Sequence, residues 1–250
     1  MENIENILKK KTKVFFDCEF TGLHQGTTLI SLGAISECGK TFYSEFTDYD
    51  KTQIDDWLKD NVIKKLTLKD YPESGIILAD NGKSIEIKGN TNTIKEQLEN
   101  WLSQFEEVEM WSDCLSYDWV LFCQIWGHAF NVPKNIYYIP FDICTVFKMH
   151  DIDPDISREE FSCGELDPNM PKHNALWDAK IIRMCYEKLR ARCGTQLWIA
   201  VNDEMPKNPG QYLGTNGSSS AICSLLKSGA FYGLANTTHW MYVPELPTKT

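Results

Sequence analysis

Val14-Phe15-Phe16-Asp17-Cys18-Glu19-Phe20-Thr21-Gly22-Leu23 reads as an apolar strand that carries two carboxylates. A strand turns successive side chains to opposite faces. Asp17 and Glu19 therefore share a face with Phe15, while Phe16, Cys18 and Phe20 point the other way. Two like charges ~7 Å apart on one strand face repel, and burying them is costly. Something must offset that cost, and a divalent cation is the simplest candidate.

Outward from this strand, residues 27–37 and 41–47 read as two more strands joined by a turn at Cys38-Gly39-Lys40. Three consecutive strands predict an antiparallel meander. Residues 52–66 have helical spacing, with Ile54, Trp57, Leu58, Val62 and Leu66 on one side. Residues 75–88 carry Asn81-Gly82 between two apolar runs, a hairpin signal. An amphipathic helix over 93–105 and a short strand over 107–111 follow. Residues 117–128 are apolar nearly all round, as in a buried helix. A strand over 136–139, a helix near 141–150, a long loop over 151–172 and a helix over 175–191 complete this part. Ala175, Ala179, Ile182, Tyr186 and Leu189 form the apolar face of that last helix. The order implies an α/β domain with a mixed central sheet over residues 1–194. After Gly194 the charge thins and Gly, Ser and Asn accumulate, so residues 195–250 read as a separate small unit.

The bulk numbers narrow the function classes. A chain of 250 residues, 42% hydrophobic, can bury a sizeable core. No run approaches the ~18 apolar residues of a membrane span, and the N-terminal MENIENILKKKTK lacks a signal peptide's apolar stretch. Nine cysteines without CxxC pairs suit a reducing cytoplasm better than a disulfide framework or a zinc site. The net charge of −10 gives no bulk signal for tight non-specific binding to a phosphate backbone, although acidic metal ligands account for part of it. No phosphate-binding Walker loop or dinucleotide fingerprint is present. His24, His128, His150 and His239 show no metal-ligand spacing, and no thiol has the basic context of a nucleophile.

Three further residues belong with Asp17 and Glu19. Asp118 lies at the start of the buried helix, where the helix dipole favours an anion; an ordinary helix-terminal charge is the plain alternative. His173 and Asp178 lie in His173-Asn174-Ala175-Leu176-Trp177-Asp178-Ala179. Five residues on a helix rotate a side chain by about 140° net. The two share a site only if His173 precedes the helix and Asp178 lies within its first turns. Alone, His173 reads as an exposed loop residue.

The order D-x-E on a strand, Asp at the start of a buried helix, and H-x-x-x-x-D entering a last helix resembles the DEDDh 3′–5′ exonuclease superfamily. The resemblance covers roughly residues 12–192, through FFDCEFTGL, YDWVLFCQIWG and HNALWDA. It is nearest to ribonuclease T-like and mycobacterial polyadenylate-type exoribonucleases. Asn174 stands where the tyrosine branch carries Tyr, which places the chain with the histidine branch. The resemblance implies a ribonuclease H-like fold and a metal-dependent exonuclease that releases nucleoside 5′-monophosphates. It implies two divalent ions, Mg²⁺ or Mn²⁺, held by Asp17, Glu19, Asp118 and Asp178, with Asp17 bridging and Asp118 acting partly through water. It implies His173 as general base, and the 3′ end of RNA or single-stranded DNA as substrate. Phe20, Thr21, Gly22 and Leu23 would touch the terminal nucleotide, with core packing an equal reading for Phe20. A homodimer is a further implication. The expected alternatives are a proofreading or repair exonuclease acting on DNA, and a non-catalytic binding module or phage structural protein.

Residues 196–247 resemble a small phage-associated domain of unknown function, through W-I-x-V, Gly210, Tyr212 and T-H-W-M-x-x-P-x-x-P. This implies a phage or prophage origin and a host-cytoplasmic location. Trp198, Tyr212, Trp240 and Met241 are its expected mini-core.

Overall fold

The opening stretch forms the middle of a sheet. In the computed structural model, which describes residues 10–73, 75–79, 83–163, 172–192, 199–202, 205–206, 209–228 and 230–242, β1 (Lys11–Phe20) pairs antiparallel with β2 (Leu29–Ser36). β2 pairs antiparallel with β3 (Thr41–Phe46), giving the expected meander. β4 (Gly75–Ala79) and β5 (Ser84–Gly89) pair antiparallel with each other, and β5 runs parallel to β3. Asn81-Gly82 lies outside the described residues. On the other side of β1, β6 (Glu107–Ser112) and β7 (Phe141–Asp142) add parallel strands. The mixed sheet has the order β4-β5-β3-β2-β1-β6-β7.

Both faces of β1 are buried, so its sequence is apolar rather than alternating. Val14, Phe16 and Cys18 join a core with Leu98 and Trp101 of α2 (Thr91–Leu102) and Leu121 and Phe122 of α3 (Leu115–Gln124). Phe16 has no exposed surface, and burying such a side chain contributes about 2 kcal/mol. Phe15 turns to the opposite face, where its ring meets Tyr186 of α6 (Ala175–Arg192) at 5.2 Å. Helices thus cover both faces of the sheet, the ribonuclease H-like layering expected from the sequence.

Three local readings need correction. Residues 52–66 are not one helix: 3-10 turns at 51–53 and 63–65 flank a short α1 (Asp56–Asn61). The Asp50 and Asp55 carboxylates accept from Thr52 N and Leu58 N and restart the backbone twice. Ile54, Leu58, Val62 and Leu66 still pack together, but Trp57 is 55% exposed. The strand expected at 136–139 reduces to a single bridge between Ile136 and Val108. Pro140, which lacks an N–H, follows it, and Tyr138 and Ile139 face solvent. The expected loop over 151–172 contains α5 (Arg158–Cys163), while residues 164–171 lie outside the description. The helix near 141–150 is α4 (Ile143–Met149).

The chain divides into two compact units, Met1–Lys188 and Leu189–Thr250. The second contains an antiparallel sheet of β8 (Ile199–Ala200), β9 (Gly210–Thr215), β10 (Ser220–Leu225), β11 (Phe231–Tyr232) and β12 (His239–Tyr242), in the order β11-β10-β9-β12-β8. Tyr212, Leu225 and Trp240 form its core. Met241 is partly buried, and Trp198 lies outside the described residues.

Candidate active site

The site begins where the β1–β6 ladder stops. That ladder ends at the Phe15–Trp111 pair, so the next residues of β1 lose their partner on that side. The N–H of Cys18, between Asp17 and Glu19, donates instead to Asp118 Oδ1 at 3.0 Å. Asp118 is there because β6 ends at Ser112, and Cys114 turns the chain through a left-handed conformation (φ 51°) into α3. Asp118 lies in the first turns of that helix, so one backbone bond ties it between the two strand carboxylates.

Asp178 comes from the other side. His173 adopts a left-handed conformation (φ 61°) before α6. Asn174 Oδ1 caps the helix by accepting from Trp177 N at 3.1 Å. The backbone N–H of His173 donates to the Asp178 carboxylate. Carboxylate oxygens of Asp17, Glu19 and Asp178 lie within 4.8 Å of one another. The His173 ring is edge-on to Trp57, with centroids 5.2 Å apart.

These acids are held against their chemistry. Burial, then Asp118, Asp178 and Glu19, push Asp17 well above the usual carboxylate range. Burial, then Asp178 and Asp118, raise Glu19 to about 8. Burial and Asp113 raise Asp118 to about 7. Burial and Glu159 raise Asp178 to about 7. The donor set is all hard oxygen, converging and mutually repelling, which fits a divalent cation of the Mg²⁺ or Mn²⁺ kind. Asp118 stands beside the three-residue cluster rather than in it. His173 moves the other way: burial, then Lys172 and Lys65, lower its pKa and favour the neutral ring.

The cleft holds about 380 Å³, and it is also lined by Asp113 and by three residues that the sequence reading missed, Arg158, Glu159 and Lys172. Arg158 Nε pairs with Asp113 Oδ2 at 3.1 Å, and Arg158 also donates to Ile156 O and to Cys144 Sγ. Lys172 Nζ lies 3.4 Å from Glu159, which is itself buried. Asp113 reads in the sequence only as a rival to Asp118. Ser157-Arg158-Glu159-Glu160 has capping-box spacing, a signal that could have found α5.

The stretch after Glu19 divides its tasks. Phe20 lines the cleft and also stacks on Tyr117 at 5.5 Å. Thr21 is 3% exposed, and its hydroxyl donates to Gln53 Oε1 and accepts from Thr28 N. Gly22 N donates to Thr27 Oγ1 at 3.0 Å. Leu23 is 75% exposed.

A family model described as the Rv2179c-like 3′-5′ exoribonuclease domain matches residues 12–189. The chain belongs to that family. It is a 3′–5′ exoribonuclease of the DEDDh type, a hydrolase that acts on RNA. Two relatives from Mycobacterium tuberculosis are 3′-5′ exoribonuclease MT2234.1 (strain CDC 1551 / Oshkosh) and 3′-5′ exoribonuclease Rv2179c (strain ATCC 25618 / H37Rv). Each is 26% identical over 126 residues, which covers 50% of this chain and 67% of the relative. Among solved structures, the Neurospora crassa Pan2 catalytic unit (protease and nuclease domain) aligns with TM-score 0.38 and 15% identity, over 73% of this chain and 27% of that one. Among the described residues, no helix is long and apolar enough to cross a membrane.

Proposed function

We propose that this exoribonuclease works with a pair of divalent ions, Mg²⁺ or Mn²⁺, held by Asp17, Glu19, Asp178 and, on the β1–α3 side, Asp118. His173 is the general base. The observation that carries this reading is the convergence of three carboxylates within 4.8 Å in the cleft that His173 also lines. When bound, such ions supply Lewis-acid stabilisation for an in-line displacement at phosphorus. The neutral His173 ring accepts a proton from the attacking water, a task its lowered pKa suits at neutral pH. The water oxygen bonds to phosphorus as the bond to the 3′ oxygen of the preceding nucleotide breaks. The products are a nucleoside 5′-monophosphate and a chain shortened by one residue. Phe20, which lines the cleft, and Leu23, which is exposed, are the proposed contacts to the terminal base, and an aromatic accepts any base face. Single-stranded DNA is a second substrate in this proposal, because no group in the argument reads a 2′-hydroxyl.

The test is a time course on 5′-labelled RNA and the matching DNA with Mg²⁺, Mn²⁺ or EDTA. The expected result is a metal-dependent ladder shortening from the 3′ end. It disappears in the Asp17→Ala, Glu19→Ala double variant and weakens in His173→Ala. Intact substrate with folded wild-type protein and both metals would overturn the proposal.

A further inference from the structure

We infer that Gly33 is a positioning residue for this site: it lets α6 settle onto the sheet far enough to bring Asp178 and His173 to Asp17 and Glu19. The inference rests on the reading that Asp17, Glu19 and Asp178 hold divalent ions. Gly33 lies on β2 in register with Asp17 on one side and Tyr43 on the other. All three positions therefore face the side of the sheet that α6 covers. A Cβ at Gly33 would lie 2.2 Å from Leu176 N, 2.3 Å from Ala175 C and 2.4 Å from Ala175 O. Ordinary contact begins at 3.4 Å. The colliding atoms are backbone, so no rotamer change relieves them, and strand or helix must yield by about 1 Å.

The colliding peptide joins the first two residues of α6. Asn174 O accepts from Asp178 N at 2.9 Å, and the His173 N–H binds the Asp178 carboxylate. The cap, the base and the carboxylate thus move as one body with that first turn. Ala175 and Ala179 are fully buried and small, which keeps the same approach open from the helix side. Asp17 and Glu19 belong to the strand beside Gly33 and do not move with α6. Lifting the helix opens the gap between the two halves of the site, and a misplacement of 1 Å costs about 100-fold in rate.

The experiment compares wild type, Gly33→Ala and Asp178→Ala. Circular dichroism reports the fold, Mn²⁺-dependent thermal shift reports the ion site, and steady-state kinetics on RNA separate kcat from KM. Gly33→Ala is expected to fold, to need at least tenfold more Mn²⁺ for half its thermal shift, and to lose about 100-fold in kcat with a smaller change in KM. A merely structural glycine would lower the metal-free melting temperature and leave the Mn²⁺ midpoint in place. A folded Gly33→Ala variant with wild-type Mn²⁺ midpoint and kcat overturns the inference. If Gly33→Ala does not fold, Ala175→Val decides by the same readouts, because it pushes the same first turn of α6 off the sheet through a neighbouring contact, that of its side chain with Tyr43 and Leu68. If Asp178→Ala keeps the full Mn²⁺ shift, the ion-site reading falls and the inference falls with it. If Asp178→Ala loses the shift and Gly33→Ala keeps it, only the inference falls.

Discussion

Glu19 and Glu45 stand in one row of the central sheet, with Ser31 between them. Both sit on the face that α6 covers, yet their surroundings differ. Glu45 is 2% exposed, and its Oε1 accepts from the Tyr43 hydroxyl at 2.9 Å and from Leu68 N at 2.7 Å. Its charge is met by protein donors, so it ties β3 to the segment after α1. Glu19 meets Asp17 and Asp178 instead. Burial and acidic neighbours push it to about 8. The contrast separates two uses of a buried acid. Where the fold supplies donors, the carboxylate is part of the architecture. Where the fold supplies more carboxylates, it prepares a place for a cation. Ser31, whose buried hydroxyl has no hydrogen-bond partner among the described residues, marks the change from one to the other.

The strongest way to break this contrast is to remove the acids. Asp17→Ala with Glu19→Ala is expected to lower exonuclease activity by on the order of 10³-fold or more. The same change should abolish the Mn²⁺ thermal shift and leave the metal-free melting temperature unchanged or higher, because repulsion is relieved. A metal-free protein that melts well below wild type would mean that Asp17 and Glu19 hold the fold together.

Asp113 offers a third solution, an acid matched by a cation. Arg158→Ala removes the guanidinium 3.1 Å from it. The expected loss in urea unfolding is about 3 kcal/mol, the effect of leaving a poorly solvated charge unpaired. Asp113→Asn in the same chain should recover part of it. Equal stability of Arg158→Ala and wild type would show that the pair matters little.

Glu45→Ala should be the mirror image of the first test at smaller scale. It strands the Leu68 N–H and removes one partner of the Tyr43 hydroxyl, which Thr67 also binds, with an expected loss of about 2 kcal/mol. The Mn²⁺ midpoint should stay at the wild-type value. A shifted midpoint would mean that the two ends of the row are coupled through Ser31.

Much of this was legible in the chain, for physical reasons that can be named. β1 declares itself because burial on both faces leaves Asp17 and Glu19 as the only charged side chains from Val14 to Phe20, so they stand out. Asp118, His173 and Asp178 become legible only in order along the chain, since each alone reads in the sequence as an ordinary helix-end or loop residue. Arg158, Glu159 and Lys172 were hidden because a run of Pro, Asp and Glu reads as loop, and nothing local shows which charges fold inward. Trp57 was placed on an apolar stripe by its spacing, but Asp50 and Asp55 break that helix and turn its ring to solvent beside His173. Gly33 looked like any strand glycine. Its meaning lies in a backbone contact with a segment more than a hundred residues away, which no periodicity records.

The finest test of the contrast is pH without metal. An unfolded carboxyl group titrates near ~4, whereas the folded protein holds Glu19 at about 8 and Asp118 and Asp178 at about 7. Between those values the folded state binds more protons than the unfolded one. Stability is then fully present below ~4 and is lost as pH rises through about 7 to 8. The metal-free protein should therefore be less stable at pH 8.5 than at pH 5. Subtracting the same curve for Asp17→Asn, Glu19→Gln isolates the part of that contribution that depends on Asp17 and Glu19, and the difference should be largest above pH 7. Mn²⁺ competes with the protons for the same oxygens, so its stabilisation should grow over the same range. A wild-type curve that already matches the neutralised variant would mean that the carboxylates are ionised without strain. The row would then contain two architectural acids rather than one of each kind.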